Sequence, residues 1–199
     1  MADHDGGNSG KKGKGIMIFK EKHIVLKNGT DCILRSPGPE DAEAILSYLK
    51  QASEETTFIT RYPEEVTMTV DHEEEFLANY QADQKSMMIS AVVDGKIVAC
   101  TGLSCVQDTI KCRHRGVFGI SVQKSYWNLG IATALITELI ECAKKAGFEQ
   151  LELEVVCENQ QALRLYQKLG FEKYGTRERS FKHKDGSYSS EYLMLLRLC

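Results

Sequence analysis

Residues 116–133 read GVFGISVQKSYWNLGIAT. A β-rich run, 116–122, passes through a polar loop into the small-residue step Gly130-Ile131-Ala132. From there Ile131, Leu135, Ile136, Leu139 and Ala143 recur at helical spacing as far as Lys145, and Gly147 stands where a helix would stop. Small residues at a helix start leave its first backbone N–H groups unobstructed. Those orphan donors, at the positive end of the helix dipole, suit an anion and best of all a phosphate or pyrophosphate. By itself the motif serves packing equally well, because small residues are common at helix starts.

Downstream, residues 151–171 read LELEVVCENQQALRLYQKLGF. A strand ends at Val156, and a short helix over 159–169 carries Ala162 and Tyr166 on one face. Gly170 ends that helix, and two further strands follow at 171–181 and 188–198. Upstream, Asp94-Gly95 joins two β-runs as a hairpin turn, and Asn28-Gly29 makes the same two-residue signal between two earlier runs. Between these hairpins lie two helices. The first follows Pro39-Glu40-Asp41 and turns Ala42, Ile45, Leu46 and Leu49 inward; the second, 71–82, is capped by Asp71 and buries Phe76, Leu77 and Tyr80. The order ββ-α-α-βββ-α-β-α-ββ predicts an α/β fold in which hairpins surround one β-α-β crossover.

The 199 residues suffice for one domain, 16–199, and the Gly- and Lys-rich start, 1–15, is expected to be a disordered tail or a cloning remnant. With 42% apolar and 27% charged residues the chain belongs with globular proteins. A net charge of -3 disfavours bulk nucleic-acid binding. The seven cysteines include no C-x-x-C and no His at zinc spacing, so no metal site is expected. Several sit in apolar periodic segments, as free thiols do in a reducing, cytoplasmic compartment. No run approaches the roughly 20 apolar residues of a membrane span, and residues 1–15 lack the apolar run of a secretion signal, so a soluble protein is expected.

Two segments, V-x-x-x-Y-W-N-L-G-I-A-T-A-L from Val122 and E-N-x-x-A-x-x-L-Y-x-K-L-G-F from Glu158, resemble the GNAT superfamily of acetyl-CoA-dependent N-acetyltransferases. The resemblance covers roughly 35–198. It implies a mixed sheet of about seven strands, flanked by about four helices, with a splayed central parallel pair. It further implies that the pantetheine arm of acetyl-CoA lies in that splay against the backbone of Ile120 and Val122. The pyrophosphate would rest on Asn128, Leu129, Gly130, Ile131, Ala132 and Thr133. Asn159 would meet the arm, and Tyr166 would face the thioester sulfur as a general acid, although spacing alone makes Tyr166 plain core. The acceptor would be a small-molecule or peptide amine, with no nucleic-acid or membrane partner, and a homodimer follows by analogy only. Acids from Glu54 to Glu75 fit a cationic acceptor or a solvated surface.

Two departures stand out. The family loop is written Q/R-x-x-G-x-G/A, and Trp127 replaces its Gln or Arg. Some relatives carry a catalytic Glu near the position of Gly116, so no base transfers. His114, Glu152, Glu154 and a water chain are the candidates that remain, the side chains reading equally as a solvated strand end or a polar strand face. Two other classes stay open. A non-catalytic acyl-CoA sensor would carry the same loop, and a dinucleotide-dependent oxidoreductase is disfavoured because G-x-G-x-x-G is absent.

Overall fold

In a computed structural model that describes residues 17–199, the elements follow the predicted order. The expected tail at 1–15 lies outside the described residues. The strands are β1 (Lys22–Val25), β2 (Asp31–Arg35), β3 (Met87–Val93), β4 (Lys96–Cys105), β5 (Arg115–Val122), β6 (Gln150–Val156), β7 (Glu172–Lys182) and β8 (Tyr188–Arg197). The helices are α1 (Ala42–Glu55), α2 (Val70–Ala82), α3 (Ile131–Ala146) and α4 (Gln160–Lys168). All eight strands form one mixed sheet in the order β1-β2-β3-β4-β5-β6-β8-β7, with β5 and β6 parallel.

Alternation along the strands sends side chains to two cores. On one face Leu135, Ile136 and Leu139 of α3, with Leu163 and Tyr166 of α4, cover Ala91, Val98 and Phe118. On the other, Ile45, Tyr48 and Leu77 from α1 and α2 cover Val92 and Ile97. Burying each large side chain contributes about 1.5–3 kcal/mol. No helix among the described residues is long and apolar enough to cross a membrane.

Local readings change in three places. The Asn28-Gly29 hairpin closes on Leu26 and Thr30 (N···O 2.8 Å), so its loop has three residues, with Gly29 at φ 84°. Asp94-Gly95, with positive φ at both residues, is the two-residue turn expected. Helix α2 is capped by Thr69, whose Oγ1 accepts from His72 N at 3.3 Å, rather than by Asp71; Phe76 is 41% exposed. In α1 the largest buried side chain is Tyr48, while Leu46 and Leu49 are half-buried.

A partly buried ion pair ties α1 to the sheet. Arg35 Nη1 and Nη2 donate to Asp41 Oδ2 and Oδ1 at 2.6 and 2.7 Å, and Gly38 N–H adds a third bond at 2.9 Å. Hydrogen bonding from Arg35 outweighs burial and holds the Asp41 carboxyl below its usual range. A lowered folded-state pKa stabilises the fold above the unfolded value of about 3.9, and that contribution fades as pH falls through the folded value. Asp41→Asn is therefore expected to cost about 1–3 kcal/mol at neutral pH. In urea titrations its deficit against the parent should shrink below about pH 3.9; a deficit independent of pH would place its origin elsewhere.

Candidate active site

Parallel strands β5 and β6 pair only at Arg115↔Gln150, Gly116↔Leu151 and Val117↔Glu152. Beyond that point β5 stays paired to β4 as far as Val122, and β6 stays paired to β8 as far as Val156. A gap opens between them. Gln123 N–H donates to Val98 O, and Ser121 O accepts from Tyr48, both on the β4 side. Alternation then turns the backbone of Ile120 and Val122 toward the gap. Three aromatic rings pack together beside the parting strands: Phe118 lies 6.2 Å from Tyr166 and 5.5 Å from Phe171, with Tyr166 and Phe171 at 5.8 Å.

The loop after β5 reaches α3 through two residues of positive φ, Asn128 at 64° and Gly130 at 97°. Gly130 is the N-cap and offers no side chain, so the N–H groups of Ile131, Ala132 and Thr133 have no acceptor among the described residues. Trp127 Nε1 donates to Val122 O at 2.7 Å and pins the loop to the strand end. The first hairpin docks here: Lys27 N donates to Leu129 O at 3.1 Å, and the Lys27 stem passes 3.9 Å from where a Cβ on Gly130 would stand. Lys27, missed in the sequence because it lies some 100 residues upstream, brings an exposed cation to this helix start.

Splay and helix start open into one cleft of about 520 Å³. Ile120, Val122, Asn128, Gly130, Ile131, Ala132, Thr133, Asn159 and Tyr166 line it; Leu129 does not, its side chain packing into the core instead. Asn159 Oδ1 caps α4 through Ala162 N (3.1 Å), which leaves only its side-chain N–H groups for a ligand. Asn128 Oδ1 accepts from Gln161 Nε2 at 2.9 Å, joining the loop to α4. Tyr166 is 7% exposed and lines the cleft, and burial pushes its phenol pKa up, so it is a donor at neutral pH. A second cleft of about 840 Å³ shares Thr56, Phe58, Ile59 and Trp127 with the first.

A family model described as "Acetyltransferase (GNAT) family" matches residues 49–171. The chain belongs to the GNAT family. An L-amino acid N-acetyltransferase of Escherichia coli is 34% identical over 105 residues, 52% of this chain and 64% of that protein. The [ribosomal protein bS18]-alanine N-acetyltransferase of E. coli is 36% identical over 70 residues, 35% of this chain and 47% of the relative. The chain thus spans less than two thirds of the length of these curated relatives. A GNAT acetyltransferase structure from Streptococcus pneumoniae superposes with a TM-score of 0.79 at 31% identity, covering 83% of this chain and 99% of that one. A structure from Salmonella typhimurium, solved with acetyl-CoA, shares the fold at a TM-score of 0.73 and 18% identity, covering 83% of this chain and 93% of that one.

None of the side chains considered as a base lines this first cleft of the GNAT-family chain. Glu152 accepts from Arg115 Nε and Nη2 at 2.5 and 2.7 Å and from Gln150 at 2.8 Å. Hydrogen bonding from Arg115 lowers its pKa, which makes it a poor proton acceptor at the closed end of the splay. Glu154 pairs with Arg177, and His114 lines a separate hollow with Arg113 and Glu149. A carboxylate at Gly116 would need the core to shift, because a Cβ there would stand 2.9 Å from Leu151 Cδ2 and 3.0 Å from Leu103 Cδ1. The expected acidic acceptor side also thins out. Glu64 pairs with Lys184, Glu65 accepts from Tyr62 N, and only Glu54 and Glu55 line the second cleft, beside Arg61, Lys124 and Lys182. Glu158, exposed at the rim of the first cleft, is its one carboxylate among the described residues. Glu152→Gln should therefore lower stability by about 1–3 kcal/mol and leave the pH profile of turnover in place; a displaced profile would restore Glu152 as the base.

Proposed function

We propose that the chain transfers the acetyl group of acetyl-CoA to a primary amine by direct attack in a ternary complex. The observation that carries this reading is the meeting, in one cleft, of an uncapped helix start and an unpaired strand edge. A diphosphate needs fixed N–H donors and positive charge, and Ile131, Ala132, Thr133 and Lys27 supply both. An arm with two amides needs free backbone partners. The edge at Ile120 and Val122 supplies them, less the Val122 carbonyl that Trp127 occupies. Asn159 retains an amide N–H for the same arm.

In the reaction an N–C bond forms while a C–S bond breaks, and the amine loses one proton as the thiolate gains one. The N–H turned outward at Ile120 would stabilise the oxyanion. Tyr166, protonated and aimed into the cleft, would give its proton to sulfur and recover one from solvent. The amine proton would leave through water. An alkyl ammonium of pKa about 10.4 carries a barrier of roughly 4–5 kcal/mol at neutral pH until that proton is lost.

Calorimetry with acetyl-CoA, followed by thiol release in the presence of L-methionine, an alanyl peptide or spermidine, tests the whole reading. One relative's name specifies L-amino acids and the other a protein alanine, and the panel holds both kinds with a polyamine. Heat of binding together with amine-dependent release is expected. Binding with no release for any amine would make the chain a sensor, and absence of binding would remove the reading. Tyr166→Phe should lower kcat about 100-fold with acetyl-CoA KM unchanged; an unaltered kcat excludes the acid role. Lys27→Ala should weaken CoA binding about 5- to 10-fold while pantetheine binds as before, and equal losses for both ligands would place Lys27 away from the phosphates.

A further inference from the structure

Helix α1 carries Tyr48, 2% exposed, with its hydroxyl inserted between β4 and β5. That oxygen lies 2.7 Å from Ser121 O, 2.5 Å from Ser121 Oγ and 3.2 Å from Cys100 N. Counting protons assigns every bond. Cys100 N–H only donates, the Ser121 carbonyl only accepts, and the phenol has a single proton. Its proton goes to the carbonyl, since any other choice leaves that buried acceptor without a donor. The phenol oxygen then accepts twice, from Cys100 N–H and from the Ser121 hydroxyl. Ser121 Oγ has accordingly spent its own proton inward, and what it can offer outward is a lone pair.

Ser121 lines the coenzyme cleft beside Thr56, Phe58 and Ile59 of the segment that follows α1. Its side chain stands on the α1 face of β5, opposite Ile120 and Val122, whose side chains pack toward the α3 core. Next on that face is Gly119, where an added Cβ would meet nothing within 4 Å. An oxygen locked as an acceptor therefore lies on the wall of the first cleft, on the face where Thr56, Phe58 and Ile59 join it to the second.

We propose that Ser121 Oγ accepts a hydrogen bond from the attacking amine, and that Tyr48 is the positioning residue that keeps it an acceptor. The inference rests on the transferase reading above. A neutral amine aims its lone pair at the thioester carbon only when its N–H bonds point elsewhere, and Ser121 gives one of them a partner. As the N–C bond forms, nitrogen gains positive charge and the N–H···Oγ bond strengthens, so its contribution is larger in the transition state than in the bound substrate. Ser121 removes no proton in this scheme. It fixes the angle of approach and leaves the proton to water.

The test uses whichever of L-methionine, alanyl peptide or spermidine the parent enzyme acetylates fastest. Ser121→Ala and Ser121→Val should each lower kcat/KM for that amine about 10-fold, with acetyl-CoA KM held within about twofold. Ser121→Thr, which has the shape of the valine variant but keeps a hydroxyl, should restore most of the loss. Tyr48→Phe should lower kcat/KM for the amine alone, and the Thr/Val pair decides the matter if that variant fails to fold. Equal amine kinetics in the Thr and Val variants would overturn the inference while the transferase reading stands. A parent enzyme that binds acetyl-CoA and acetylates no amine would sink both.

Discussion

Two parallel strands that meet over three residue pairs and then part set every other feature of this protein. Unpaired backbone groups in the middle of a sheet forfeit hydrogen bonds that a continuous ladder would make, so such a gap persists only where its surroundings impose it. Here both flanks do so: β4 holds β5, and β8 holds β6, over their full length. At the closed end the Arg115–Glu152 pair clasps the strands across the last paired residues. The packed rings of Phe118, Tyr166 and Phe171, drawn from β5, α4 and the segment before β7, pack into the core beside the parting strands. At the open end the Trp127 indole takes up the Val122 carbonyl. The cleft is thus built from closed contacts on its perimeter, and its unpaired groups face inward.

Trp127 also explains how the loop tolerates the loss of a polar side chain at that position. In place of a Gln or Arg, an indole N–H ties the loop to the strand, while its ring borders both clefts. The positive charge forgone there is supplied from elsewhere in the sequence by Lys27, whose backbone N–H fastens the first hairpin to Leu129. A cation above a helix start adds to the half-charge of the dipole and acts on the same anion. The first hairpin thus does more than complete the sheet, because its loop brings this lysine to the start of α3.

How much of this was legible in the sequence depended on range. Hairpin turns, the apolar stripe of α3 and its Gly147 stop are local, and each was readable from residues within one or two turns of chain. The cap of α2 was misplaced by two residues because Thr69 and Asp71 are both competent N-caps, and only the backbone decides between them. Phe76 fits the stripe of α2 and yet is 41% exposed, its ring packing on Tyr80 of the same helix at 5.2 Å while Leu77 enters the core. The uncapped helix start at Gly130 was visible as small residues before a helical period. Lys27 and the Tyr48–Ser121 contact were not, because each joins segments about 70 to 100 residues apart and neither leaves a periodic trace.

On the transferase reading, the fate of the amine proton follows from what surrounds the gap. A carboxylate base must stand near the reacting nitrogen, and that nitrogen must approach from the α1 face, because α3 and α4 close the other. On the α1 face β5 presents Gly119 and Ser121, and neither is an acid or a base of useful strength. Glu152 is bound to Arg115 at the far end, Glu158 lies on the rim beside α4, and Glu54, Glu55 and His183 line the second cleft without reaching the first. On the proposed reading, therefore, a second cleft that stays open to solvent is a requirement of the chemistry, since water must reach the nitrogen that Ser121 holds. A lid that sealed the acceptor side would strand the proton, whereas an open, polar entrance between the segment after α1 and β7 lets it leave.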